Sequence, residues 1–433
     1  MVSVSQVRTV CAPDMDEENR KVSTDTAEAT GIPFDPFELK DTVSGNLRNP
    51  FPRMQELRRE CPVHSGPIDL GEGLEPPDPS RPAPVTVFGF EETVQVLRDN
   101  ETFSSGVYEG IMGLVMGRTI LQMDEPEHRI ARAMVSSSFR SKVLERWEEG
   151  LVGLVVNELI DSFYDRGHAD LVREVTFNFP AQVIARILGL PRSDYPRFQR
   201  WTVELTSVAA NWDRGVAASE ALRDYFAGVM EERRSERGDD LISELVRVEV
   251  EGTKLSDEEI YSFLRLLLPA GVDTTYRSTG NLLFALLHDR AQFDALYDDR
   301  SLFPQAFEEG LRWEPPVSVI LRRATRDTEL AGVKIEGGAD IALMLGAANR
   351  DERKYTDPDA YNMFREVRQH VGFGFGVHVC LGMHLARMES RVAVNTLFDR
   401  LGRFTLDPAV ETPHIEGLAF RSPLSLPVVW PAG

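Results

Sequence analysis

Residues 370–391 read HVGFGFGVHVCLGMHLARMESR, and the reading of this stretch decides the fold. One thiol, Cys380, follows three alternating glycines (Gly372, Gly374, Gly376) and precedes an amphipathic helical run. Backbone N–H groups and the dipole at a helix N-terminus favour a thiolate. A thiolate so placed could be a nucleophile, a structural metal ligand or the axial ligand of a haem iron. A lone cysteine is more often a small buried hydrophobe, so its neighbours carry the argument. Gly374 and Gly376 let the backbone run close to a flat ligand, and Gly382 removes side-chain bulk one turn into the helix. His378 sets a donor or cation beside the same ligand.

Three other readings compete. A dinucleotide loop needs a GxGxxG spacing after a strand and an acidic residue about 20 positions on, and the spacing here differs. A zinc site from His378, Cys380 and His384 would hold a single thiolate, with no CxxC or HxxxH pair to complete it. A cysteine hydrolase needs a base and an orienting residue, and that reading stays open.

Outward from the cysteine, the best-defined helix begins at Leu255-Ser256-Asp257-Glu258-Glu259-Ile260. Ser256 and Glu259 spell a capping box, and Leu255 with Ile260 a hydrophobic staple. The apolar pattern runs to about His288, a length of roughly 50 Å, enough to cross a domain. Pro269 and Gly271 in its middle predict a kink. Asp273, Thr274 and Thr275 follow at once. The ordinary reading has the threonines bonding back to the preceding turn and Asp273 pairing with an arginine. The functional reading makes a carboxylate–alcohol pair at a break in a buried helix a proton relay.

Bulk properties narrow the class. Over 433 residues the chain has 48 basic and 69 acidic side chains, a net charge of −21, which disfavours nonspecific binding to nucleic acid or anionic lipid. No run approaches the roughly 20 apolar residues of a membrane span, and the N-terminal sequence lacks a signal-peptide pattern. Three distant cysteines (Cys11, Cys61, Cys380) suit a reducing compartment. The expectation is a cytoplasmic protein. Residues 1–40 lack periodicity and read as a flexible arm, with one domain over 41–433. Helical periods dominate (PRMQELRREC, FEETVQVLRD, Glu127 to Leu190, Tyr195 to Arg237). The strand-like pieces are short: PVTVFG, TELAGVKI, DIALMLG and LSLPVVW. The fold class expected is mainly α with small β-sheets around a long kinked central helix.

FGFGVHVCLG at 373–382 resembles the haem-binding loop of the cytochrome P450 family, the haem-thiolate monooxygenases. Other motifs resemble the family in the same order. AGVDTT at 270–275 is similar to the oxygen-binding stretch of its central helix. EGLR, Glu309 to Arg312, is similar to its Glu-x-x-Arg pair. HRIAR at 128–132 and Arg322 resemble its haem-propionate holders, and FRSPLSLPVVW its terminal strand pair. The resemblance runs from about Pro50 to the end and is closest to the soluble bacterial branch. Pro269 departs from the family pattern.

The resemblance implies haem b (iron protoporphyrin IX) as cofactor, with Cys380 as the iron ligand. Phe373, Gly374, Gly382, Gly271, His128, Arg132, Arg322 and His378 would then hold the haem. Thr274 would hydrogen-bond oxygen and Asp273 gate proton delivery, while Glu309 and Arg312 form a structural pair. The implied reaction inserts one atom of O2 into a hydrophobic small molecule, with electrons from NAD(P)H through a separate ferredoxin and reductase. By the same analogy the loop Glu109–Arg118 (Ile111, Met112, Leu114, Val115, Met116), Ala270 and the segment with Val317, Val319 and Ile320 should line the substrate pocket. Arg129, Arg140, Arg387 and Arg391 are candidates for a ferredoxin-docking patch. No nucleic acid and no membrane partner is expected. A peroxide-driven peroxygenase should lack the Asp273–Thr274 pair, and a non-catalytic haem carrier would fill the second axial site.

Overall fold

The computed structural model describes residues 37, 47–70, 80–110, 112–136, 139, 148–208, 211–236, 238–250, 252–366 and 368–431. The main helices are α1 (Phe51–Glu60), α2 (Phe90–Arg98), α3 (Glu127–Ser136), α4 (Gly153–Asp161), α5 (Asn178–Ile187), α6 (Tyr195–Thr206), α7 (Trp212–Ser235), α8 (Asp257–Leu268), α9 (Thr274–His288), α10 (Phe303–Trp313) and α11 (Met383–Leu401).

The central helix is fixed by its own start. Ser256 Oγ accepts the Glu259 N–H at 3.3 Å, and Glu259 Oε2 accepts the Ser256 N–H at 2.7 Å, so the capping box forms as the sequence predicts. Ile260, Leu264 and Leu268 in α8, then Tyr276, Leu282, Leu283 and Leu286 in α9, are all buried in one cluster. Between the two lies a single π-helical turn, Pro269–Asp273. Pro269 has no N–H to give to the carbonyl four residues back, so the α register cannot pass through it, and the helix widens by one residue instead of stopping. The expected kink is therefore a change of register.

The sheets frame this helical body. The largest combines β1 (Val63–Ser65), β2 (Val85–Val87), β3 (Phe103–Ser104), β5 (Val319–Ala324) and β8 (Asp340–Met344) in the order β1-β2-β8-β5-β3. β8 runs parallel to β2, with Ile341 opposite Val85, and antiparallel to β5, with Ile341 opposite Arg322. Between β5 and β8, β6 (Thr328–Leu330) and β7 (Val333–Ile335) form a hairpin. A second sheet joins β4 (His168–Asp170), β9 (Thr405–Leu406) and β12 (Pro427–Val429), and β10 (Ile415–Glu416) pairs with β11 (Ser422–Pro423).

The mainly helical architecture with small sheets is as expected, in one domain. Two details differ. FRSPLSLPVVW does not fold into a pair with itself; β11 and β12 join different sheets. The arm expected over residues 1–40 lies outside the described residues except for Phe37, which is buried with its ring 4.9 Å from that of Phe177. Among the described residues no helix is long and apolar enough to cross a membrane.

Candidate active site

The cysteine loop closes on itself. Cys380 N donates to Phe373 O at 2.8 Å and Gly374 N to Val371 O at 2.9 Å. Gly374 and Gly376 take φ of 72° and 71°, the left-handed region that favours glycine. A Cβ on Gly376 would stand 2.3 Å from Leu97 O, so the loop lies against α2. Gly382 is the residue before α11, not one turn inside it. A Cβ there would meet nothing within 4 Å, so the backbone borders open space. The placement also corrects the electrostatics. Burial pushes the Cys380 thiol up, while the Gly382 N–H and the Arg132 and Arg387 charges pull it down without winning. Helix-end electrostatics alone do not make a thiolate here; a bound metal cation would.

Four expected haem-edge residues converge on this loop from three elements. The rings of His128 (α3) and His378 lie 4.1 Å apart. Arg132, one turn beyond His128, donates Nη2 to Val379 O at 2.6 Å. Arg322 is buried on β5 and donates Nη1 to the carbonyl of Leu321 at 2.7 Å. Among the described residues, both nitrogens of buried His128 and Nε2 of His378 lack a hydrogen-bond partner. His128 Nδ1 has a long contact of 3.5 Å to Glu125 Oε1. Burial holds His128 below its ordinary value, and burial with the neighbouring His128, Arg322 and Arg132 holds His378 at about 3. The cations expected here are thus two arginines, with two neutral imidazoles as donors. Among the described residues neither half-buried Arg132 nor buried Arg322 forms an ion pair with a carboxylate, and buried donors without acceptors are costly. The set fits a flat group bearing two carboxylates, as a haem edge does. Among the described residues no group of three His, Cys, Asp or Glu could hold a metal ion, so the zinc reading through His384 has no support. One thiol suits an iron that brings its own four nitrogens.

On the central helix, Ala270 is exposed between half-buried Pro269 and Gly271, although Leu268 and Val272 beyond them are buried, and Thr274, one turn on, is half-buried. An exposed alanine in the middle of a core helix marks an open cleft. Thr274 Oγ1 donates to Ala270 O at 2.6 Å, across the π turn. Asp273 Oδ2 accepts from Arg277 Nε at 2.8 Å. Burial would lower Arg277, but Asp273 beside it holds it above its ordinary value. The ordinary reading is therefore present in the Asp273–arginine pair and in the back-bond of Thr274. Gly271 belongs to packing: a Cβ there would stand 3.1 Å from Ile184 Cδ1 of α5. Thr279 Oγ1 and Ser390 Oγ, 2.9 Å apart, tie α9 to α11 just beyond Cys380.

The pocket residues are only partly brought together. Leu114 is 60% exposed, whereas Val115 is buried in the main core. Met112 is half-buried against that core. Val319 packs with Phe51 and Met344, and Ile320 against a different cluster with Val85 and Ile341. Alternation along β5 sends them to opposite faces, so they cannot both line one pocket. Val317 bridges Phe420. Ile111 and Arg140 lie outside the described residues.

Arg312 clamps Glu309 bidentately, with both contacts at 2.8 Å, and reaches the carbonyls of Asn349, Pro358 and Ala360. Arg365, which sequence reasoning missed, also donates to Glu309 Oε1 at 3.1 Å. Three other partners were missed. Arg277 is one. Tyr108 is another, its Oη accepting the Leu321 N–H at 2.9 Å beside Arg322. The third is Glu308, which holds Arg387 at 2.7 Å, so Arg387 is no free docking charge.

A Cytochrome P450 family model matches residues 84–425. The putative cytochrome P450 YjiB of Bacillus subtilis (strain 168) is 33% identical, over 86% of this chain and 93% of that protein. Erythromycin C-12 hydroxylase of Saccharopolyspora erythraea is 36% identical, over 78% of this chain and 89% of its own. CYP109E1 from Bacillus megaterium in complex with testosterone shares the fold at a TM-score of 0.79 and 30% identity, covering 88% of this chain and 99% of that one. With the cysteine loop, its two arginines and the broken central helix on one scaffold, the chain belongs to the cytochrome P450 family of haem b monooxygenases.

Proposed function

We propose that this chain inserts one oxygen atom from O2 into a hydrophobic small molecule, with electrons from NAD(P)H delivered through a separate ferredoxin reductase and ferredoxin. The observation that carries the reading is the open face of the π turn, where Ala270 is exposed and Thr274 borders the cleft. Relatives with bulky apolar substrates support the choice: one is named an erythromycin hydroxylase and one holds testosterone.

In this reading Cys380 is the iron ligand. Arg132 and Arg322 neutralise the two propionates, while His128 and His378 donate to them. When bound, the haem supplies the oxygen chemistry, tuned by its thiolate ligand. The protein's own part is to hold and move protons. Thr274 gives its proton to Ala270 O, which leaves its lone pairs facing the cleft as acceptors. Asp273 is buried and held by Arg277, so it passes a proton only after rotating away from that guanidinium.

A carbon monoxide difference spectrum of the reduced protein tests the ligand: the long-wavelength thiolate band is expected in wild type and absent in Cys380→Ser. A panel of steroids, macrolides and fatty acids, scored by spin-state shift and by product mass with ferredoxin, reductase and NAD(P)H, tests the substrate class. Tight spin shifts only from small polar acids would overturn it.

A further inference from the structure

Glu308 stands where three segments around the cysteine loop meet. Arg387 of α11 donates Nε to its Oε1 at 2.7 Å and Nη2 to its Oε2 at 3.0 Å. His370, at the start of the loop, places Nε2 3.0 Å from Oε2. His370 Nδ1 accepts the Gly372 N–H at 3.0 Å, which leaves Nε2 as the donor toward Glu308. The Arg387 guanidinium lies 4.7 Å from the centre of the Phe373 ring, and Phe373 O accepts the Cys380 N–H. One carboxylate on α10 thus binds the segment leading into the loop and the helix leaving it. The cation it holds, Arg387, acts electrostatically on Cys380.

We propose that Glu308 is a positioning residue for the thiolate side of the haem: it fixes Arg387 against Phe373 and balances its charge, so that the pair sets the field at Cys380. The inference rests on Cys380 being the iron ligand. Its physical content is a sign. Glu308→Gln keeps the size and one hydrogen bond but leaves Arg387 uncompensated, which favours the electron-richer ferrous state. Arg387→Gln leaves Glu308 uncompensated by that cation, which favours the ferric state. A purely structural latch would loosen the loop in both variants and move both the same way.

The test is a dithionite titration of the ferric/ferrous couple in the haem-loaded full-length protein, with the carbon monoxide spectrum taken beside it. Glu308→Gln should shift the midpoint potential up, Arg387→Gln should shift it down, and the double variant should return toward wild type. Shifts of equal sign, or none, overturn the role of Glu308. If wild type itself lacks the thiolate band, the Cys380 assignment has failed and takes this inference with it. Should Glu308→Gln not load haem, Arg387→Gln alone decides: an unmoved or raised potential overturns the assignment.

Discussion

Arg277 Nε stands 2.8 Å from the Asp273 carboxylate one helical turn back, and both side chains are 3% exposed. Arg277 also donates to Ser422 Oγ at 3.0 Å, which links the central helix to the C-terminal strands. Removing one member of a buried pair strands the other charge and costs about 3–5 kcal/mol. Arg277→Leu should therefore lower unfolding stability by about that much, measured by chemical denaturation. Asp273→Asn added to it should recover part of the loss, because no charge is then stranded. A double variant as unstable as Arg277→Leu would show that shape, not charge, is what matters.

Thr274 gives a prediction about coupling, not folding. Among the described residues its hydroxyl bonds to Ala270 O. Thr274→Ala should fold normally and still consume NAD(P)H, but product formed per reductant should fall about tenfold or more, with hydrogen peroxide making up the difference. Thr274→Ser should restore most of the coupling. Unchanged coupling in Thr274→Ala would remove the hydroxyl from the proton path.

His128 is buried, and among the described residues its Nε2 has no hydrogen-bond partner while Nδ1 has only the 3.5 Å contact to Glu125. If it awaits a haem carboxylate, His128→Phe should accelerate haem loss roughly tenfold or more, the worth of one hydrogen bond to a charged group. Transfer of haem to an excess of apomyoglobin measures this. A merely structural histidine would leave the haem off-rate unchanged, and the apolar ring would stabilise the protein.

The capping box at Ser256 and Glu259 was legible because its signal spans four residues. The break at Pro269 was legible because proline chemistry is local, though its outcome as a π turn was not: that depends on packing which favours continuing the helix. β5 was harder. Arg322 and Arg323 interrupt VILRRA, and only its pairing with β8 on one side and β3 on the other shows it to be an inner strand. The site followed the same division. Cys380, Thr274 and the Glu309–Arg312 pair sit in contiguous motifs. Glu308 meets His370 across 62 residues and Arg387 across 79, and no spacing rule joins them. Arg387 was misread as a docking charge for that reason. One pair of the expected pocket residues differs for another reason: Val319 and Ile320 are neighbours in sequence and opposites across a sheet.

Acid should expose the Glu308 cluster. Burial alone would raise this carboxyl, but hydrogen bonds from His370 and Arg387 bring it down from 4.5 to about 2. A carboxylate depressed by folding stabilises the native state fully above its unfolded value, and that contribution is lost as pH falls toward the folded value. The stability gap between wild type and Glu308→Gln should therefore be constant from neutral pH down to about 5. It should then narrow progressively below about 4.5, toward closure near 2. Denaturant unfolding of both proteins at a series of pH values measures the gap. A gap of the same size at pH 3 as at pH 7 would mean that Glu308 contributes packing without its charge. The same curve for Arg387→Gln should narrow over the same window, because both variants break one ionic contact titrated by one carboxyl group.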